Sequence, residues 1–120
     1  MKKTGTILLS IFTLVTLQAQ NNKFNLLIGT YTQSCDSKGI YVYDFDSKTG
    51  DFSFKNATEK VVNTSYLTVS KENKYVYSVN EFGAESTVSS FSYNPKSGKL
   101  DLINTQSSKG ADPCYIINDD

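Results

Sequence analysis

Two stretches decide the fold: Tyr43-Asp44-Phe45-Asp46-Ser47-Lys48-Thr49-Gly50-Asp51-Phe52 and Phe91-Ser92-Tyr93-Asn94-Pro95-Lys96-Ser97-Gly98-Lys99-Leu100. Each alternates aromatic and polar residues, breaks at a short turn ending in Gly, and resumes with an apolar residue. Alternation at period two puts Tyr41, Tyr43 and Phe45 on one face of a strand. The turn glycine supplies the left-handed position of a hairpin loop, and Pro95 after Asn94 suits the opening of a type I turn. The two stretches lie 48 residues apart.

Further matches lie outside this pair. Leu27-Ile28-Gly29-Thr30-Tyr31-Thr32 answers Val76-Tyr77-Ser78-Val79-Asn80-Glu81, and Asn63-Thr64-Ser65-Tyr66-Leu67-Thr68 answers Asp112-Pro113-Cys114-Tyr115-Ile116-Ile117, both at an offset of 49. The period predicts four strands per unit: A (Tyr66–Ser70), B (Lys74–Asn80), C (Thr87–Asn94) and D (Lys99–Thr105). The chain then reads as B–C–D of one unit, a complete second unit, and the opening strand A of a third. No helical stripe interrupts this beyond the N-terminal segment, so the mature chain reads as all-β. Four short strands in about 48 residues is the size of a β-propeller blade. The aromatics at 41, 43, 45, 75, 77, 91 and 93 are expected to form the core between blades. A blade buries both faces of its sheet against neighbours, so two blades alone leave two apolar faces wet. The chain is therefore expected to be the N-terminal piece of a longer propeller, in which a C-terminal strand A completes the first blade. Alone, it is expected to be poorly soluble or to associate, and to lack activity.

Composition narrows the chemistry. Twelve Lys balance twelve acids, which speaks against a nucleic-acid binder. Arg, His and Trp are missing, so this stretch cannot supply a Ser-His-Asp triad, a Cys-His pair or a His-ligated zinc site. No metal site is expected. Lys2 and Lys3, the apolar run Ile7–Leu17 and the small Ala19 read as a signal peptide over residues 1–20, cleaved after Ala19 or Gln20. Such a run is too short for a permanent span, so the mature form, 21–120, is expected to be exported, periplasmic or secreted, without a membrane anchor. Export permits a disulfide between Cys35 and Cys114, but two cysteines fix no geometry and the pairing stays open. The sequons at Asn56 and Asn63 matter only in a glycosylating cell.

At Leu27-Ile28-Gly29-Thr30-Tyr31-Thr32, Gly39-Ile40-Tyr41-Val42-Tyr43, Lys48-Thr49-Gly50, Tyr75–Glu81, Ser97–Leu100 and Gly110-Ala111-Asp112-Pro113-Cys114 the chain resembles the lactonase family of seven-bladed propellers. The likeness runs from Phe24 to Asp120. It implies hydrolysis of a sugar-acid lactone without a redox cofactor, with 6-phospho-D-glucono-1,5-lactone as the reference substrate and an unphosphorylated aldonolactone as the other. The resemblance also implies a catalytic His, Glu and Arg set on later blades, beyond this chain. Tyr115 stands where relatives often carry His. In propellers the B–C and D–A loops ring the channel where ligands sit. Glu81, Tyr31 and Asp112 are accordingly the substrate-contact candidates, each with a plainer reading as a solvated turn residue, a packing residue or a turn cap. The alternative function is a non-catalytic exported propeller that binds a protein or carbohydrate partner.

Overall fold

The computed structural model describes residues 21–119, and the predicted signal peptide lies outside them. The strands β1 (Lys23–Gly29), β2 (Ile40–Asp46) and β3 (Phe52–Ala57) form one antiparallel sheet in that order. A second antiparallel sheet orders β4 (Thr64–Val69), β5 (Tyr75–Asn80), β6 (Thr87–Asn94) and β7 (Lys99–Ser107). These are the expected B–C–D and A–B–C–D units; in the second, four of the eight strand ends are as expected and the others shift by one or two residues. Among the described residues no helix is long and apolar enough to cross a membrane.

The repeat is written in hydrogen bonds as well as in letters. Gly50 N–H donates to Asp46 O and Gly98 N–H to Asn94 O, both at 2.8 Å. Asp46 Oδ1 accepts from Lys48 N–H at 2.9 Å, as Asn94 Oδ1 does from Lys96 N–H at 3.0 Å. Both glycines hold positive φ, 80° and 70°, the conformation their turns require. Each sheet also carries a bulge at the same place, leaving Lys55 unpaired between β2 and β3 and Ile103 unpaired between β6 and β7.

Register corrects the sequence alignment at one strand. Tyr43 lies opposite Leu26 and Phe54, whereas Phe91 lies opposite Val76 and Leu102. With Tyr43 and Phe91 equivalent, Leu26 matches Val76, one residue away from the match the letters gave. A one-residue slip exchanges the faces of a strand, so the ladder decides which side chains meet which neighbour.

The core sits between the two sheets. Ile40 and Val42 from the first blade pack with Val76, Phe91, Tyr93 and Leu100 from the second, and Leu27, Val61, Leu67 and Val69 close around them. The aromatic expectation thus holds for two of its seven residues. Phe91 and Tyr93 are buried, but Tyr41, Tyr43 and Phe45 stand on the opposite face of β2 from Ile40 and Val42. There Tyr43 meets Phe52 and Phe54 edge-on, at ring-centroid distances of 5.7 and 6.0 Å. Tyr75 is exposed, and Tyr77 is only half-buried. A blade is apolar on both faces, so period-two alternation cannot say which face meets which neighbour.

Polar contacts pin the outer part of this interface. Lys55 Nζ, on a largely buried side chain, donates to Asn25 Oδ1 and Asp44 Oδ1 at 2.8 Å and to Pro95 O at 3.1 Å. Asn25 Nδ2 donates to Tyr93 Oη at 2.7 Å and Pro95 O at 2.8 Å. The Pro95 turn of the second blade is thereby tied to the sheet of the first. The predicted third strand A is not formed: residues 113–119 pair with no strand among the described residues. They run beside β4 instead, where Tyr115 packs on Tyr66 and Asn118 Nδ2 donates to Val69 O at 3.0 Å.

Candidate functional site

The segments after β1, β3, β5 and β7 converge on an open cleft of about 410 Å³ lined by Tyr31, Gln33, Asn63, Glu81, Phe82, Gly83 and Asp112. All three residues singled out in the sequence are in this one cleft.

Asn63 organises it. Its φ of 40° is left-handed, a conformation Asn tolerates because its short amide can bond nearby backbone. Only 2% exposed, it accepts from Thr32 N–H through Oδ1 at 3.0 Å. Its Nδ2 donates to Glu81 O at 2.9 Å and Gln33 Oε1 at 3.2 Å. The loop after β1 and the end of β5 are thus fastened to one side chain. Asp112, the counterpart in the repeat, is also left-handed, with φ of 44°. Its Oδ1 accepts from Gly83 N–H at 2.8 Å and Ser86 Oγ at 3.3 Å, and its own N–H donates to Ser86 Oγ at 3.0 Å. Asp112 therefore caps the turn after β5 while facing the cleft.

Glu81 follows directly after β5, and its carboxylate Oε2 accepts the hydroxyl proton of Tyr31. That bond crosses from the first blade to the second. It holds the Tyr31 phenol above the usual tyrosine range, helped by slight desolvation and by the neighbouring charges of Glu81 and Asp112. Tyr31 itself is half exposed, and Phe82 adds a second exposed ring.

Cys35 and Cys114 are both exposed, and each is a free thiol in this structure. Cys35 Sγ donates to Tyr31 O at 3.4 Å and Cys114 Sγ to Asp112 O at 3.3 Å, so each thiol closes a local turn. No group of three or more His, Cys, Asp or Glu converges among the described residues in a way that could hold a metal ion. Gln33 escaped the sequence reading because it belongs to no motif or repeat. The signal in the sequence for the anchoring role of Asn63 is its match to Asp112 at an offset of 49.

Comparison with known proteins agrees with this geometry. The family model of the lactonase, a seven-bladed β-propeller, matches residues 25–120. The chain is 30% identical over 93 residues to the 6-phosphogluconolactonase of Formosa agariphila, covering 76% of this chain and 26% of that protein. A Bacillus subtilis protein of the same name is also 30% identical over 93 residues, with 78% and 26% covered. Among solved structures, a candidate 6-phosphogluconolactonase from Bacteroides fragilis superposes with a TM-score of 0.77 at 43% identity, over 82% of this chain and 27% of that one. The periplasmic gluconolactonase of Pseudomonas aeruginosa gives 0.71 at 32% identity, over 78% and 27%. The chain spans about a quarter of the length of these relatives. With its repeat, its paired hairpins and bulges, and this match over residues 25–120, the chain belongs to the lactonase family of seven-bladed β-propellers.

Proposed function

We propose that the protein is an exported hydrolase that opens a sugar-acid lactone, with residues 1–20 as its cleaved signal peptide and 21–120 as the first blades of the propeller. The observation that carries this reading is the cleft. Loops of both blades bring Tyr31, Glu81 and Asp112 together at the same end of two adjacent sheets, in a chain of the lactonase family. The periplasmic location of the Pseudomonas aeruginosa gluconolactonase supports export. The names of the curated relatives support a lactone as substrate.

Lactone opening needs a water made nucleophilic by a base and a donor or cation at the developing oxyanion. The chain holds no His and no Arg, so the His and Arg that the family resemblance implies for these tasks are not among its residues. Its own contribution is substrate binding: Tyr31, Glu81 and Asp112 hold the lactone at one wall of the site. A pH-stat assay on the protein purified at its native length tests the reading, because ring opening releases a proton. Acid release from D-glucono-1,5-lactone or its 6-phosphate well above the spontaneous rate is expected. A rate equal to buffer alone for both would overturn it in favour of a binding propeller.

A further inference from the structure

The hydrogen-bond inventory of the cleft narrows the substrate class further. Tyr31 commits its hydroxyl proton to Glu81, so its oxygen offers the cleft only lone pairs. Glu81 and Asp112, as carboxylates, are acceptors only. The Gly83 N–H, which could have served as a donor, goes to Asp112 Oδ1, and the Ser86 hydroxyl proton is taken up between Gly83 O at 2.7 Å and Asp112 Oδ1 at 3.3 Å. The amide protons of Asn63 go to Gln33 Oε1 and Glu81 O. Among the lining side chains only the Gln33 amide keeps protons to offer, and no lysine reaches the cleft. This wall therefore carries negative charge and accepts hydrogen bonds.

Sugar hydroxyls and phosphates meet such a wall differently. A hydroxyl can donate to it, with an aromatic ring such as Phe82 alongside to cover the apolar carbon face. A phosphate monoester at neutral pH carries close to two negative charges and presents only acceptor oxygens. It would face two carboxylates with no donor to answer it. Resting on the lactonase reading above, we infer that the Tyr31–Glu81 wall is a specificity element: it binds hydroxyl donors of an unphosphorylated aldonolactone and excludes a phosphorylated one.

The test compares kcat/KM for D-glucono-1,5-lactone and 6-phospho-D-glucono-1,5-lactone in the native-length protein. A preference of about tenfold or more for the neutral lactone is expected. Glu81→Gln replaces a charged acceptor with an amide that can donate, and should shift that ratio about tenfold toward the phosphorylated lactone, chiefly through its KM. A wild-type preference for the phosphorylated lactone would overturn the inference, as would a ratio that Glu81→Gln leaves unchanged. Should that variant not fold, Tyr31→Phe, at a half-exposed ring, is expected to raise KM for the neutral lactone more than it lowers kcat; an unchanged KM counts against the wall. If neither lactone is opened, the hydrolase reading fails on its own. Calorimetry with D-glucitol and D-glucitol 6-phosphate then decides the inference, tighter binding of the neutral polyol supporting it and tighter binding of the phosphate refuting it.

Discussion

The two blades share one local script but bury it differently. In the second, Val76, Phe91, Tyr93 and Leu100 face the first blade and are buried. In the first, the corresponding face carries Phe24, Leu26, Phe52 and Phe54, and all four are exposed. The second blade also has a polar ladder across its four strands. Asn80 accepts from Ser78 Oγ at 2.8 Å and donates to Ser89 Oγ at 2.6 Å, with Thr64 on one side and Thr105 on the other. The first blade, with three strands, has no such ladder. The difference teaches that hairpins and bulges are local properties of the repeat. Burial is not; it depends on which neighbour each face meets.

The sharpest way to break the comparison is at its paired aromatics. Phe91→Ala is expected to cost about 3–5 kcal/mol in urea unfolding, because it empties a position that is 1% exposed. Tyr43→Ala, at the equivalent place, should cost clearly less wherever its face stays bare; equal costs would show that this face is covered in solution. Next comes the ladder. Asn80→Ala strips the shared partner from Ser78 and Ser89 and should cost about 1–3 kcal/mol, with hydrogen exchange rising across β5 and β6.

The two bulge residues sharpen the contrast at a similar or smaller scale. Lys55→Met leaves Asn25 Oδ1 and Pro95 O without their ammonium and should cost about 1–3 kcal/mol. Ile103→Thr, at the matching but exposed position, should leave the unfolding midpoint nearly unchanged. Similar losses at both would mean that the second blade's outer bulge also docks on a neighbour.

The smallest effect is spectroscopic. The bond to Glu81 raises the Tyr31 phenol above its ordinary value of 10.0. That bond supports the fold below this ordinary value and is lost as pH rises through the folded-state value. Phenolate absorbance should therefore appear later in wild type than in Glu81→Gln. Coincident titrations would mean the bond across the blades does not hold in solution.

Much of this was legible in the letters. The hairpins at Gly50 and Gly98 and the strands from Ile40 to Asn94 followed from turn chemistry and period two, which act within a few residues. Tyr31 and Glu81 could be placed near the cleft because each closely follows a strand, and Asp112 because it repeats Asn63 at an offset of 49. Gln33 could not be found this way, because it reaches the cleft through the path of an irregular loop. Nor could the anchoring role of Asn63 or the tie between Lys55 and Pro95, whose partners lie 18 to 40 residues away.

The sequence by itself determined that this protein repeats a β unit every 48 or 49 residues, and where each unit turns. Turn preference and strand alternation are short-range, so the chain carries them wherever it goes. Only the tertiary structure decided that Leu26 rather than Leu27 matches Val76, and that Ile40 and Val42 rather than their tyrosine neighbours fill the core. It also gathered four separate loops into one acceptor-lined cleft. Register and face are settled by long-range pairing energy, and a sheet apolar on both sides leaves no trace of that choice in its own alternation.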